Sequence, residues 1–259
     1  MRTFRGKHPS QRSLTPVQWI YLLVHALVFL VGVALYQLGG IFAVSVGTSL
    51  SAAGIAGWVI FLWIQINEDS AQTLKAINTA GIVDIFPTAR SVTIRHEYEI
   101  RLNEARRDIK FMGFGLRALR EDFGDQFQSW CQRAKVRILL VDPRAPHDEA
   151  SYADQRDIEE NNPEGSIRSD VRAFLNYTSQ MRADYPNSFQ VRLYRCLPSI
   201  NVCIIDDDAF WGPYVVGQQS RNMLTFSCRS GGYMYNMLSE HFDRIWNNPQ
   251  LSVPPEQDP

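Results

Sequence analysis

The chain has 259 residues, with 26 Lys and Arg against 27 Asp and Glu, so its formal net charge is −1. The charges are segregated: Arg2, Arg5, Lys7 and Arg12 lie at the N-terminus, Ser13 to Asn67 carries no Asp, Glu, Lys or Arg, and every acidic residue follows. This pattern excludes a one-piece soluble domain, and the acidic balance of the remainder argues against an electrostatic nucleic-acid binder.

Residues 1–16 read as a basic tail. Val17–Leu38 and Ile41–Ile66 are about 33 Å and about 39 Å long as helices, enough to cross a hydrocarbon core of about 30 Å. Gly39-Gly40 reads as the tight connection of a helical hairpin. A cleaved signal peptide is disfavoured, because the first apolar run is too long and a second span follows at once. The basic tail predicts a multi-pass protein of the cell membrane with both termini cytoplasmic. Ser45, Ser49, Ala53 and Gly57 recur every four residues, a stripe suited to packing on the first helix or to a self-association seam. His25 falls near the middle of the first span, where a polar side chain is costly.

Residues 67–108 read as a helical linker interrupted near Phe86-Pro87. Alternating elements follow over 109–247: a strand at Ile109–Phe114, a helix at Arg120–Arg133, a strand at Val136–Val141 and a polar excursion from Ala145 to Ser166. A helix at Val171–Tyr185 comes next, then strands at Phe189–Tyr194, Val202–Ile205, Phe210–Val216 and Met223–Cys228, and a last helix opened by Gly231-Gly232. This order predicts an α/β layer with a largely parallel sheet. Residues 248–259 read as a flexible tail.

No Walker A loop, Gly-x-Ser-x-Gly elbow, Cys-x-x-Cys pair or zinc-spaced histidine pair is present. Cys131, Cys196, Cys203 and Cys228 read as reduced packing cysteines. No cofactor or metal is expected.

The strings Ile109–Gly113, Val136–Pro143, Val191–Tyr194 and Leu197–Asp207, with the Ser239-to-Trp246 ending, resemble one half of a phospholipase D-like domain over about residues 85–247. Active members of that family carry His-x-Lys-x4-Asp, in which the histidine attacks phosphorus, the lysine holds phosphate and the aspartate supports the local network. Aligning Asp206 with the motif aspartate puts Ser199 and Asn201 at the histidine and lysine positions. The family's downstream Gly-Ser segment is replaced by Gly212-Pro213-Tyr214. The resemblance therefore implies a degenerate, non-catalytic half, since nucleophile and phosphate-binding cation are both missing. Neither His147 nor His241 reads as a substitute nucleophile.

Ser199, Asn201, Asp206, Ser230 and Gly231 are the expected ligand-binding residues, with Ser230-Gly231 offering backbone N–H groups at a helix start. The apolar face of Val202–Ile205 is expected to be under-covered in a single half and to drive a homodimer or higher oligomer. Three functions follow as expectations. The first is a membrane-anchored sensor or effector, binding a small anionic ligand (a nucleotide among the candidates) or a protein partner. In architecture it resembles prokaryotic stress and anti-phage effectors that damage their own membrane. The second is a membrane scaffold that docks proteins, and the third a membrane-tethered phosphodiesterase or nuclease.

Overall fold

The computed structural model describes residues 16–255; the basic tail and the last four residues lie outside them. The described chain divides into two units, one ending at Lys75 and the other beginning at Ala76.

The first unit is a helical hairpin. Helix α1 spans Pro16–Gln37 and helix α2 starts at Ile41, and both are long and apolar enough to cross a membrane. Gly39 and Gly40 adopt φ of 74° and 84°, the left-handed backbone that a side chain resists, and this reverses the chain in two residues. Glycines also set the seam. A Cβ at Gly47 would lie 2.6 Å from the Gly32 carbonyl oxygen, so the two backbones touch there. The His25 ring lies over Gly57, and its Nδ1 is 2.9 Å from the Tyr21 carbonyl oxygen. Of the two readings of the small-residue stripe, packing on α1 is met at one position alone. Ser45, Ser49 and Ala53 are exposed, and Gly57 alone of that set meets α1, alongside Gly47, Ser51 and Gly54. A period of four drifts around a helix of 3.6 residues per turn, whereas the observed contacts follow its face.

Helix α2 continues to Ala80, beyond the expected span. Strand β1, Ile82–Phe86, follows after the single residue Gly81, and helix α3 occupies Val92–Glu104. The expected helical linker thus contains a strand of the sheet. Strand β2 is Asp108–Gly113, and the expected helix after it breaks into α4, Arg117–Phe123, and α5, Phe127–Cys131. Strand β3 is Lys135–Val141. The polar excursion is largely helical: α6 covers Tyr152–Glu160 and α7 Ser166–Tyr177, with α8, Ser179–Asp184, completing the crossover to strand β4, Phe189–Tyr194. Strands β5, Ile200–Ile205, β6, Asp208–Pro213, and β7, Thr225–Arg229, lead to helix α9, Tyr233–Asn247. Strand β8, Ser252–Val253, pairs with β4, so the expected flexible tail begins with an ordered strand whose Ser252 is buried.

The eight strands form one sheet in the order β1-β7-β6-β5-β2-β3-β4-β8. Only β2-β3-β4 are parallel; all other neighbours are antiparallel. The expectation of a largely parallel sheet is corrected to a mixed one. The cause is chain length: β2–β3 and β3–β4 are joined by helical crossovers, whereas two residues, Asp206-Asp207, join β5 to β6 and permit only a hairpin.

Helices cover both faces. On one side, Trp130 packs on Phe111 and Phe127 packs on Phe174 and Phe189, while Tyr98 of α3 meets Phe210. On the other, α9 is pinned by ions: Lys110 Nζ lies 3.0 Å from Asp243, and Arg137 bridges Asp243 and Asp108 at 3.1 Å. Lys110 is buried and Arg137 largely so, while Asp243 and Asp108 remain partly exposed, so removing Asp243 would leave both cations with less compensation. Val202, Cys203, Ile204 and Ile205 are all under 7% exposed, so the under-covered apolar face expected on β5 is filled within the chain. The argument for a dimer through that face lapses with it.

Candidate functional site

The five expected ligand residues fall at opposite ends of the sheet. Asp206 follows β5, where β2, β3 and β4 begin. Its backbone is left-handed, with φ 49°, and its carboxylate accepts from the backbone N–H groups of Arg106, Arg107 and Asp108 at 2.8–2.9 Å. The Asp206 carbonyl accepts from the Tyr235 hydroxyl. Asp206 therefore ties the entry of β2 to the β5–β6 turn. Ser230 donates its N–H to the Asp207 carbonyl at 2.7 Å, and Arg107, with a lesser bond from Ser230, holds the Asp207 carboxyl below its usual range. Ser230 and Gly231 thus belong with this structural cluster, away from Ser199 and Asn201.

At the other end, where β2, β3 and β4 finish, lies a cleft of about 580 Å³. This is the edge at which α/β sheets receive ligands. Asn201 lines it; Ser199 is exposed and outside its lining, its carbonyl accepting from the Tyr214 N–H at 3.0 Å. Cross-strand register places Asn201 opposite Gly212, and the Trp211–Phe226 pair brings Thr225 to the other flank of Gly212. A Cβ at Gly212 would lie 2.5 Å from the Leu224 carbonyl oxygen and 3.4 Å from the Asn201 amide, so only glycine fits between Asn201 and Thr225. Thr225 is 1% exposed, and its Oγ1 has no partner. A buried hydroxyl left unpaired costs about 1–3 kcal/mol, a penalty that a bound donor or acceptor removes.

The walls are polar and the floor apolar. Tyr98, Phe111, Phe123 and Tyr214 supply rings. Arg156, fully buried on α6, holds the wall after β6: it donates to the Val215 and Gln218 carbonyls and stacks 5.0 Å from the Tyr214 ring. Glu160 accepts from Ser220 in the same wall. Asp170 of α7 packs against Gly115 with no hydrogen-bond or ion-pair partner among the described residues, and burial pushes its carboxyl up. Arg221 on the rim is exposed and has no ion pair among the described residues. No histidine or lysine lines the cleft. His147 and His241 lie elsewhere, and burial pushes His241 down. Cys203 lines the cleft from β5, and burial holds its thiol well above its usual range. Cys131 and Cys228 are pushed up to about 11 by burial, and all four cysteines are unpaired. Among the described residues, no group of three or more His, Cys, Asp or Glu could hold a metal.

Motif spacing points to Asn201, which lines the cleft, and to Asp206 as a ligand residue, which does not line it; it does not point to Thr225, Asp170, Tyr98 or Arg221. Those come from four different elements, and no local pattern joins them.

The chain is thus a mixed α/β domain with an edge cleft, preceded by two helices able to span a membrane. No protein-family model and no curated protein matches it. Among solved structures it is similar to TrmBL2, an archaeal chromatin protein with a novel mode of DNA binding, at 12% identity over 77% of this chain and 69% of that one, with a TM-score of 0.41. It is also similar to the phosphatidylserine synthase of Haemophilus influenzae Rd KW20, at 10% identity over 66% of this chain, with a TM-score of 0.43. The chain spans 38% of that synthase. Both likenesses fall below the level that defines a shared fold.

Proposed function

We propose that this chain is a membrane-anchored sensor or effector: its α/β domain, a degenerate phospholipase D-like half, binds a small ligand in the edge cleft and signals to the two-helix hairpin. One observation carries the reading. Thr225, unpartnered in the cleft, lies on β7 in register with Phe86 of β1, and β1 leaves α2 after the single residue Gly81. A ligand that orders β7 acts on the strand nearest in sequence to the membrane helix. The Arg229 N–H donates to the Gly81 carbonyl at 2.9 Å, which fastens that junction to the same strand.

The cleft's chemistry favours binding over turnover. Covalent phosphoryl transfer needs an activated nucleophile as well as cations, and although four arginines line the cleft, the lining offers no histidine or lysine and its one cysteine is held protonated by burial. Full-length protein is expected to leave bis(p-nitrophenyl) phosphate intact; hydrolysis abolished by Asp170→Asn would restore the phosphodiesterase reading.

The membrane output is tested without knowing the ligand. Induced expression of the full chain is expected to depolarise cells, as a potential-sensitive dye reports, and Asn201→Trp, which fills the cleft, is expected to change the extent. Identical depolarisation by both chains would uncouple the cleft from the hairpin, and none by either would favour a scaffold.

A further inference from the structure

Resting on the binding reading, we infer that the cleft takes a small polyhydroxylated ring, a sugar or the ribose of a nucleoside, through Asp170, Asn201 and Thr225, and that it is not built for a polyphosphate.

Most charges on its walls are engaged by a neighbouring opposite charge. Arg90 lies 3.4 Å from Asp122, Arg95 lies 3.1 Å from Glu99, Arg117 lies 2.6 Å from Glu121, and Glu160 holds Arg156 at 2.8 Å. One arginine, Arg221, and one carboxylate, Asp170, remain without an ion pair among the described residues. A chain of phosphates needs several converging cations or a row of free backbone N–H groups. With Arg90, Arg95 and Arg117 each engaged by a carboxylate, the single rim arginine Arg221 provides neither.

The unpaired groups instead describe a hydroxylated ligand. A carboxyl group accepts from hydroxyls, so Asp170 suits a donor of that kind. Thr225 Oγ1 both donates and accepts, and the Asn201 amide does the same. These two side chains share a sheet face on either side of Gly212, two strand spacings or roughly 10 Å apart. A ring carrying hydroxyls on opposite edges spans such a gap. Tyr98, Phe111, Phe123 and Tyr214 then offer aromatic faces to the ring's C–H surface or to an attached base. The 580 Å³ of room suits a mono- or disaccharide or a nucleoside.

The test uses the full chain in phospholipid nanodiscs, with glucose, maltose, adenosine, adenosine monophosphate, ATP and tripolyphosphate as probes in thermal unfolding and calorimetry. A sugar or a nucleoside is expected to raise the unfolding temperature, and the two arms distinguish the sources. Asp170→Asn and Thr225→Val are each expected to weaken that binding about tenfold, the effect of one lost hydrogen bond, while Ser199→Ala leaves it unchanged. ATP is expected to bind no tighter than adenosine, and tripolyphosphate not at all. Tripolyphosphate binding that is lost in Arg221→Ala and unaffected by Asp170→Asn would overturn the inference and leave a ligand-binding cleft in place. Silence from every probe also overturns it, while the Asn201→Trp membrane experiment, which uses no ligand, decides the binding reading separately.

Discussion

Asp206 acts on the fold away from the cleft. Three backbone N–H groups converge on its carboxylate at the entry to β2, and none of these bonds is at the cleft. Asp206→Ala is expected to destabilise the domain by about 2–3 kcal/mol, the range for hydrogen bonds to a charged acceptor, with cleft binding altered only through folding. Thermal unfolding measures the first and calorimetry the second; an unchanged melting temperature would deny the role. Asp154 gives a pH signature. The Arg168 guanidinium, foremost, and Ser151 hold its carboxyl down at about 2, against an ordinary 3.8. A depressed carboxylate stabilises the fold above its unfolded value, and that stabilisation fades as pH falls through the folded value. Asp154→Asn should therefore lower the melting temperature at neutral pH, and the gap to wild type should close between pH 3.8 and about 2. A gap that persists at the acid end would assign the effect to packing. Motif spacing singles out Asp206, but its partners, Arg106 to Asp108, lie about a hundred residues away and are not legible locally. Asp170 and Thr225 stay invisible there, because a carboxylate on a helix and a threonine opening a strand are ordinary until the fold leaves them unpartnered.

The element that matters most was the hardest to read. Ile82–Phe86 is five residues between two helices, and its flanks carry the helical pattern into it. Its strand character comes from pairing with β7, about 140 residues away in the chain, and from the close approach of Gly81 to Gly232. A Cβ at Gly232 would lie 2.4 Å from Gly81 Cα, while its φ of −86° suits any residue. Gly232→Ala therefore isolates the steric contact from backbone strain. We expect it to cost about 1–3 kcal/mol and to loosen β1 before the rest of the sheet. Proteolysis near Gly81, faster in the variant than in wild type, would register that loosening; equal rates would show that the contact yields freely. The polar segment at 145–166 was misread for a related reason. Its Asp, Glu, Asn and Pro suggest a solvated loop, yet Arg156 and Asp157 are buried by bonds to the cleft wall and to the start of α7.

For the whole molecule, charge segregation already separates an apolar hairpin from a domain, and both helices appear where the uncharged stretch predicts them. The hairpin's packing face and the sheet's mixed topology were not legible, because each depends on which residues meet after folding. The proposed orientation keeps both termini cytoplasmic. Reporter fusions after Gly40 and after Pro259 are expected to mark opposite sides of the membrane, and the same side for both would exclude two spans. Coupling between cleft and hairpin is the central claim, and hydrogen exchange tests it on full-length protein in nanodiscs. Filling the cleft with Asn201→Trp should slow exchange in Ile82–Phe86 and Thr225–Arg229 relative to wild type, with Lys135–Val141 unchanged. Slowing confined to residues that line the cleft, with β1 exchanging at the wild-type rate, would contradict it.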